Sequence, residues 1–214
     1  MVEAGRIVSA RKLNLSPVLN RSHLVKSDAF HYADGSLALP AYFEMASAHG
    51  VLVRTDPSGC VVDRRLIRGR GLKPIQPMIV TRDAHRAVAF LRNFGGGTPL
   101  LVSHTEDGGQ SWSEVERTEI PNADGPISAL PLADGRLLLA MNDLPEDTGK
   151  LRLLISDDLG KTRREIRVFG KNDGGTRYPM LRRLPSGEIL LAYSSGSSTR
   201  IEVHLFNDAW LDAQ

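Results

Sequence analysis

The feature that most constrains this chain is a rhythm of self-bonding turns. Thr105-Glu106-Asp107-Gly108-Gly109-Gln110-Ser111-Trp112 is a stretch that can pin itself. The Thr105 hydroxyl and the Asp107 carboxylate can accept from nearby backbone N–H groups. Gly108 and Gly109 supply the positive φ of a tight turn, and Trp112 opens the next extended run with a large apolar anchor. The pattern returns at Ser156-Asp157-Asp158-Leu159-Gly160-Lys161-Thr162, with Arg163 in place of the Trp, and in compressed form at Thr55-Asp56-Pro57-Ser58-Gly59. Thr55, Thr105 and Ser156 stand 50 and 51 residues apart. A second series, Asp34-Gly35, Asp83-Ala84, Asp134-Gly135 and Ser186-Gly187, repeats after 49, 51 and 52 residues. Each is followed by a strand-like run: Ser36–Tyr42, Ala87–Leu91, Arg136–Met141 and Glu188–Tyr193.

Several short strands and two turn signals in each period of about fifty residues describe a β-propeller blade. The predicted fold is all-β, a single propeller domain over residues 1–214 with blades at about 28–67, 76–119, 126–169 and 178–206. Thr81–Arg92 has alanines and charges at helical spacing, but the Val88/Phe90 alternation and the turn at Asp83 make it a hairpin. A segment at 6–13 reads as a strand completing a blade, without the inner strands that would precede it. Two closures follow: the leading strand pairs with the last three and shuts a four-bladed ring, or the chain is the later part of a propeller of roughly six blades. An open ring leaves unpaired edges, which favours closure on itself or by a second copy as a homodimer. Trp112, Phe43, Phe90, Phe94, Leu130, Leu139 and Leu191 are expected to pack between blades.

Composition limits what such a ring can do. A chain of 214 residues with 41% hydrophobic residues can bury a real core. A net charge of +2 with both signs interspersed gives no reason to expect nucleic acid or an anionic membrane as partner. The single cysteine, Cys60, excludes an internal disulfide and a cysteine zinc site, and reads as a small strand residue. His23, His31, His49, His85, His104 and His204 lack metal-ligand spacing, so no metal and no cofactor are expected. Gly69-Arg70-Gly71 and Gly95-Gly96-Gly97 lack the strand–helix setting of a phosphate cradle. No apolar run approaches the ~20 residues that span a bilayer.

In a four-stranded meander the first and third turns emerge on one face of the ring, and the other connections on the opposite face. The turns of both series therefore share a face, where their residues need only a structural explanation. A central pocket belongs to the other face, whose loops carry Arg21, His23, Lys26, Asp28, Tyr42, Glu44, His49, Gln76, Arg92, Asn93, Asn122, Asp124, Asn142, Asp143, Arg177, Tyr178, Tyr193 and Arg200. Arginines present paired donors to a carboxylate and tyrosines present flat faces to sugar rings, a set suited to an anionic sugar.

The octet S/T-x-D-x-G-x-x-W matched by Thr105–Trp112 resembles the Asp box of the sialidase (neuraminidase) and BNR-repeat families. Leu15-Ser16-Pro17 with Leu19-Asn20, Leu39-Pro40-Ala41-Tyr42, Gln76-Pro77, Pro121-Asn122, Asp134–Ala140 and Tyr178-Pro179 are similar to a bacterial branch described as predicted neuraminidases. The resemblance implies a sialidase-type propeller and a glycoside hydrolase acting on terminal sialic acids through a tyrosine nucleophile. Carried onto this sequence it makes Tyr178 and Glu44 catalytic, Arg92, Arg177, Tyr193 and Asn142 substrate-binding, and Thr105, Asp107, Gly109, Trp112, Ser156, Asp158 and Gly160 structural. The family's first arginine and its aspartate acid fall ahead of the region covered, which implies weak activity or none. The alternatives are a propeller that binds sialylated or other acidic glycans without catalysis and one that binds protein. A bacterial cytoplasm or periplasm is the compartment implied.

Overall fold

In the computed structural model the described residues are 2–3, 6–7, 10, 12–13, 15, 23–45, 47–144, 147, 149–170, 175–196 and 198–214. The strands are β1 (Val2–Glu3), β2 (Arg6–Ile7), β3 (His23–Val25), β4 (Phe30–His31), β5 (Leu37–Phe43), β6 (His49–Thr55), β7 (Val61–Ile67), β8 (Pro74–Thr81), β9 (Ala87–Asn93), β10 (Leu101–Thr105), β11 (Glu116–Arg117), β12 (Ser128–Pro131), β13 (Leu137–Met141), β14 (Leu151–Ser156), β15 (Arg164–Phe169), β16 (Thr176–Arg183), β17 (Ile189–Ser195) and β18 (Arg200–Phe206). A short helix α1 (Asp208–Asp212) follows, capped by the Asn207 side chain accepting from the Trp210 N–H.

They form four antiparallel meanders: β3/β4-β5-β6-β7, β8-β9-β10-β11, β12-β13-β14-β15 and β16-β17-β18. These are blades 1 to 4 of an all-β propeller arrangement. Thr81–Arg92 is the hairpin between β8 and β9, with Arg82 N donating to Arg86 O. Period-two alternation builds the interfaces, since each strand sends alternate residues to opposite neighbours. Between blades 1 and 2 lie Ala38, Leu52, Ile67, Ala89, Leu91 and Leu101. Phe90, Ile127, Leu137, Leu139 and Leu154 fill the space between blades 2 and 3. Leu138, Leu151, Leu153, Leu181, Ile189, Leu191 and Tyr193 fill the space between blades 3 and 4. Phe90, Leu139 and Leu191 are core residues, while Phe43, Phe94, Leu130 and Trp112 are only partly covered.

The two ends of this stack differ. The outer face of blade 1, with Ala41, Val51 and Val53, is buried under Leu13 and Leu15. The outer face of blade 4 leaves Ile201, Val203 and Leu205 at 69%, 55% and 56% exposure. Residues 6–7 pair with 2–3 rather than with blade 4; the rest of 6–13 falls partly outside the described residues. Cys60 is exposed in the turn ahead of β7, not within a strand. Among the described residues no helix is long and apolar enough to cross a membrane, and no group of three or more His, Cys, Asp or Glu is placed to hold a metal.

Candidate functional site

The turn face bonds to itself. Thr105 Oγ1 accepts from Gly109 N at 2.9 Å and donates to Asp107 Oδ1 at 2.8 Å, while Asp107 takes the N–H and hydroxyl of Ser111 at 2.9 and 2.5 Å. The second box repeats this atom for atom: Ser156 Oγ accepts from Gly160 N at 2.7 Å, and Asp158 takes both donors of Thr162 at 2.7 Å. In the worn copy Asp56 Oδ1 accepts from Cys60 N at 2.9 Å and Ser58 Oγ at 2.7 Å. Hydrogen bonds to the ionised form hold Asp107 down at about 2, those from Ser111 leading, and lower Asp158 through Thr162. Gly109 sits at φ +83°, where a Cβ would lie 2.9 Å from Leu52 Cδ2 of blade 1. The box is thus locked against the neighbouring blade, and Gly108 N–H···O=C His85 and Tyr32 O–H···O=C Gly108 bonds tie it to the turns of the other series.

One expectation for this face is corrected. A cavity of about 470 Å³ opens on it between blades 1 and 2, lined by Phe30, Tyr32, Leu52, Ile79 and His85 together with Thr105, Gly108, Gly109 and Trp112 of the first box. The box is therefore not remote from every cavity. Its glycines bring backbone close to the neighbouring blade without filling the space between the two turns.

The opposite face is built differently, because every blade's innermost strand is interrupted there. In blade 1 the gap between β3 and β4 holds Lys26–Ala29. In blade 2 the β8–β9 register shifts between Ile75 and Met78, across Gln76-Pro77. In blade 4 it shifts between Arg177 and Met180, across Tyr178-Pro179. In blade 3, Ala123 N donates to Asn142 O, and the regular β12–β13 register begins only at Ser128, beyond Asp124-Gly125-Pro126. Gln76, Asp124 and Tyr178 take φ of 55°, 50° and 55°, left-handed values rare for residues with a side chain. Each bulge re-aims a side chain and releases backbone carbonyls from the ladder. Lys26 Nζ collects two of them, donating to Ile127 O at 2.6 Å and Pro179 O at 2.7 Å, and so links blade 1 to blades 3 and 4. Withdrawal from water pulls its pKa to about 7, with Asp28 opposing the shift. Asp28 in turn lies 4.0 Å from Arg182 of blade 4.

A chain of polar side chains runs across three blades. Gln76 Nε2 donates to Tyr42 Oη at 3.3 Å, Arg92 Nη1 to Gln76 Oε1 at 3.4 Å, and Arg92 Nε to Asp124 Oδ1 at 2.7 Å. Arg92 also lies 5.4 Å from the Phe94 ring centroid. Burial raises the Tyr42 pKa, and Glu44 and Tyr178 reinforce the rise while Gln76 and Arg92 oppose it. Tyr178 of blade 4 and Glu44 of blade 1 are thus close enough to act electrostatically on one phenol. Tyr178 is 48% exposed, whereas Tyr42 and Gln76 are buried.

Of the residues singled out by sequence, Tyr178, Glu44 and Arg92 are brought together around Tyr42. Arg177, next in the chain to Tyr178, is exposed and pairs in register with Ser194, its carbonyl accepting from Ser194 Oγ at 2.9 Å. Two others go elsewhere. Tyr193 alternates to the covered side of β17 and is buried between blades 3 and 4, its ring centroid 5.7 Å from His204 and its hydroxyl 3.2 Å from His204 Nε2. Asn142 is buried as a cross-link, donating to Lys150 O at 2.6 Å and Thr176 Oγ1 at 3.2 Å. Asn122 is spent on the Gly125 backbone, His49 on Ser47 O, and Asp143 on Arg152 at 2.9 Å. Arg21 lies outside the described residues. Tyr42, Gln76 and Asp124 were visible only as members of a face. The signal that marks two of the four interruptions is a large polar residue directly before proline, Gln76-Pro77 and Tyr178-Pro179.

Comparison with known proteins agrees with this architecture. No curated protein sequence matches the chain. A Dyadobacter fermentans protein of unknown function superposes with TM-score 0.66 at 17% identity, over 86% of this chain and 53% of its own. The NanB sialidase of Streptococcus pneumoniae, as a K499G mutant, gives 0.59 at 18% identity, over 83% and 28%. The intramolecular trans-sialidase of Ruminococcus gnavus, bound to oseltamivir carboxylate, gives 0.61 at 20% identity, over 87% and 44%. The chain thus spans about half or less of the length of these structures. The BNR repeat-like domain model matches residues 5–202. With nearly its whole length inside that match, and with four blades carrying the sialidase-type arrangement, the chain belongs to the BNR repeat-like domain family.

Proposed function

We propose that the interrupted-strand face recognises a terminal acidic sugar of the sialic acid class, with Arg177 and Tyr178 meeting the ligand. Arg92 is neutralised by Asp124, so it frames the site and leaves the sugar carboxylate to the exposed Arg177. Tyr178 stacks on the sugar ring, and the Tyr42–Gln76–Arg92–Asp124 chain forms the polar floor. The observation that carries this reading is the convergence of an exposed aromatic, an arginine and a buried phenol where the innermost strands break their ladder, with the exposed Arg177 next in the chain to Tyr178. Left-handed backbone at Gln76, Asp124 and Tyr178 costs of order 1–3 kcal/mol each, an expense that a purely structural face has no use for. The sialidase neighbours supply the ligand class.

Hydrolysis is the second reading, favoured by the placement of Tyr178 with Glu44 about Tyr42. A carboxylate beside a phenol can take its proton as the oxygen attacks. Without a positioned acid for the leaving group, ~10²–10⁴-fold of rate is forgone, so turnover by this chain is expected to be weak or absent. The test is titration with N-acetylneuraminic acid by calorimetry, alongside a fluorogenic sialoside at mildly acidic and neutral pH. Binding lost in Arg177→Ala, without turnover, supports recognition. Turnover abolished by Tyr178→Phe supports hydrolysis. Neither binding nor turnover removes the sialic acid reading.

A further inference from the structure

A further cavity, of about 330 Å³, opens where blade 1 passes into blade 2, between the turn that leads into β6 and the connection from β7 to β8. Among the described residues its lining includes His49, Arg68 and Lys73 and no carboxylate. Ala48 of the same lining clusters with Tyr42 and Ile75, which sets the cavity beside the mouth, although none of the mouth's polar chain lines it. The backbone under both cations is tied to blade 2: Arg68 O accepts from Val115 N at 2.9 Å, and Lys73 O from Phe94 N at 3.0 Å. A Cβ at Gly69 would lie 2.9 Å from Val115 Cβ, so glycine there permits that close seating, whereas one at Gly71 meets nothing within 4 Å. His49 is buried, its Nδ1 donating to Ser47 O at 2.5 Å and its ring stacked on Phe43 at 5.4 Å.

The charges here are not balanced. Among the described residues the Arg68 guanidinium and the Lys73 ammonium have no hydrogen-bond or ion-pair partner. The carboxylate that reaches this connection, Glu114, is taken by the N–H of Arg70 at 3.2 Å and its guanidinium at 4.0 Å. Burial leads the lowering of the His49 pKa and the Ser47 carbonyl opposes it, while the charged groups that act on the ring, Arg68 and His23, both lower it further. A concavity lined by one sign of charge focuses its field and gathers counter-ions. We propose that this cavity is an anion site that takes a phosphate or sulfate group, free or as a monoester on a sugar. The guanidinium presents paired donors to two oxygens and the ammonium supplies a third contact. His49 adds a donor at Nε2 when protonated. A carboxylate has only two oxygens for these groups, whereas a tetrahedral oxyanion can meet all of them. The volume, at the small end of the range for ligand pockets, holds such a group with part of a sugar ring. This site stands apart from the acidic-sugar reading of the mouth and does not depend on it.

The test is calorimetric titration of the full chain with inorganic sulfate, inorganic phosphate and glucose 6-sulfate, at constant ionic strength with chloride as the balancing ion. Binding is expected to weaken at least about tenfold in the double variant Arg68→Ala, Lys73→Ala. Both side chains are exposed, so circular dichroism should not change. Arg177→Ala, at the mouth, should leave the affinity as it is. Glucose 6-sulfate binding tighter than sulfate identifies an esterified ligand, and equal affinities identify the free anion. A second measurement needs no substitution: because binding and protonation are reciprocal, the His49 ring should titrate at higher pH in sulfate than in chloride, read by NMR. No binding beyond that of chloride overturns the proposal. So does binding retained in the double variant, binding lost in Arg177→Ala, or a His49 titration indifferent to sulfate.

Discussion

The turn face and the opposite mouth of this propeller satisfy their polar side chains by different means. On the turn face the bonds that form each box close within a few residues: Thr105 to Gly109, Asp107 to Ser111, Ser156 to Gly160, Asp158 to Thr162. At the mouth the partners are far apart in sequence: Tyr42 with Gln76, Arg92 with Asp124, Lys26 with Ile127 and Pro179. A locally satisfied turn can be copied blade by blade without regard to its neighbours. A cross-blade network exists only when the blades are assembled, and so it can differ at every position of the ring. Repetition makes scaffold, and divergence of the inner strands leaves room for the site proposed above.

Five measurements sharpen or break that contrast. The largest effect belongs to Lys26, the longest-range bond at the mouth. Its folded-state pKa of about 7 lies below the ordinary 10.5, so between those values the unfolded chain binds more protons. Stability should therefore rise with pH from about 7 toward 10.5, by at most about 1.4 kcal/mol per pH unit, and Lys26→Met should flatten the slope in denaturant titrations. Next, Trp112→Ala should cost about 3 kcal/mol, the low end for removing a large aromatic, because its ring packs on the Leu52 and Leu101 cluster while staying partly exposed. Arg163 at the equivalent place donates to backbone carbonyls, Gly160 O at 2.7 Å and Lys161 O at 3.2 Å. Arg163→Ala should stay below about 1 kcal/mol. Equal costs at the two positions would mean that the anchor of the box is not what locks blade to blade.

Gln76→Ala should cost about 1–3 kcal/mol by leaving the buried Tyr42 hydroxyl without its donor, and should weaken sugar binding as well. Arg177→Ala should do the reverse. With its side chain exposed, the variant should melt within a degree or two of the parent and yet bind at least about tenfold less sialic acid, about 1.4 kcal/mol. A stability loss without a binding loss there would assign Arg177 to the scaffold. The smallest effect is at acid pH. Asp107 is held at about 2 in the fold, below the ~3.9 of an unfolded chain. Its contribution is complete above about pH 4 and is lost as pH falls through 2. Asp107→Asn should remove that part of the acid limb and leave ligand titrations at neutral pH unchanged.

The legibility of the molecule follows the same division. The boxes could be read because a hydroxyl, a carboxylate and a glycine within five residues already contain their bonding. The strands between them showed the alternation of a half-buried sheet. Tyr178, Glu44 and Arg92 were legible as candidates because each falls on a connection whose face follows from repeat phase. Tyr193 misled for the opposite reason: it lies two residues from the end of β17, where one step of alternation decides between the mouth and the core, and sequence carries that step weakly. Asn142 sits on the correct face but spends its amide on Lys150 O and Thr176 Oγ1, partners that only blade packing supplies.

By itself the sequence determined the period, the turns and the all-β class, since these rest on bonds and hydrophobic alternation that span a few residues. Only the tertiary structure decided that Lys26 would gather carbonyls 101 and 153 residues away. It alone closed the outer face of blade 1 under Leu13 and Leu15. The reason is physical: a side chain carries its own bonding capacity along the chain, but whether that capacity is met, or an apolar face is covered, depends on which strands the fold sets beside it.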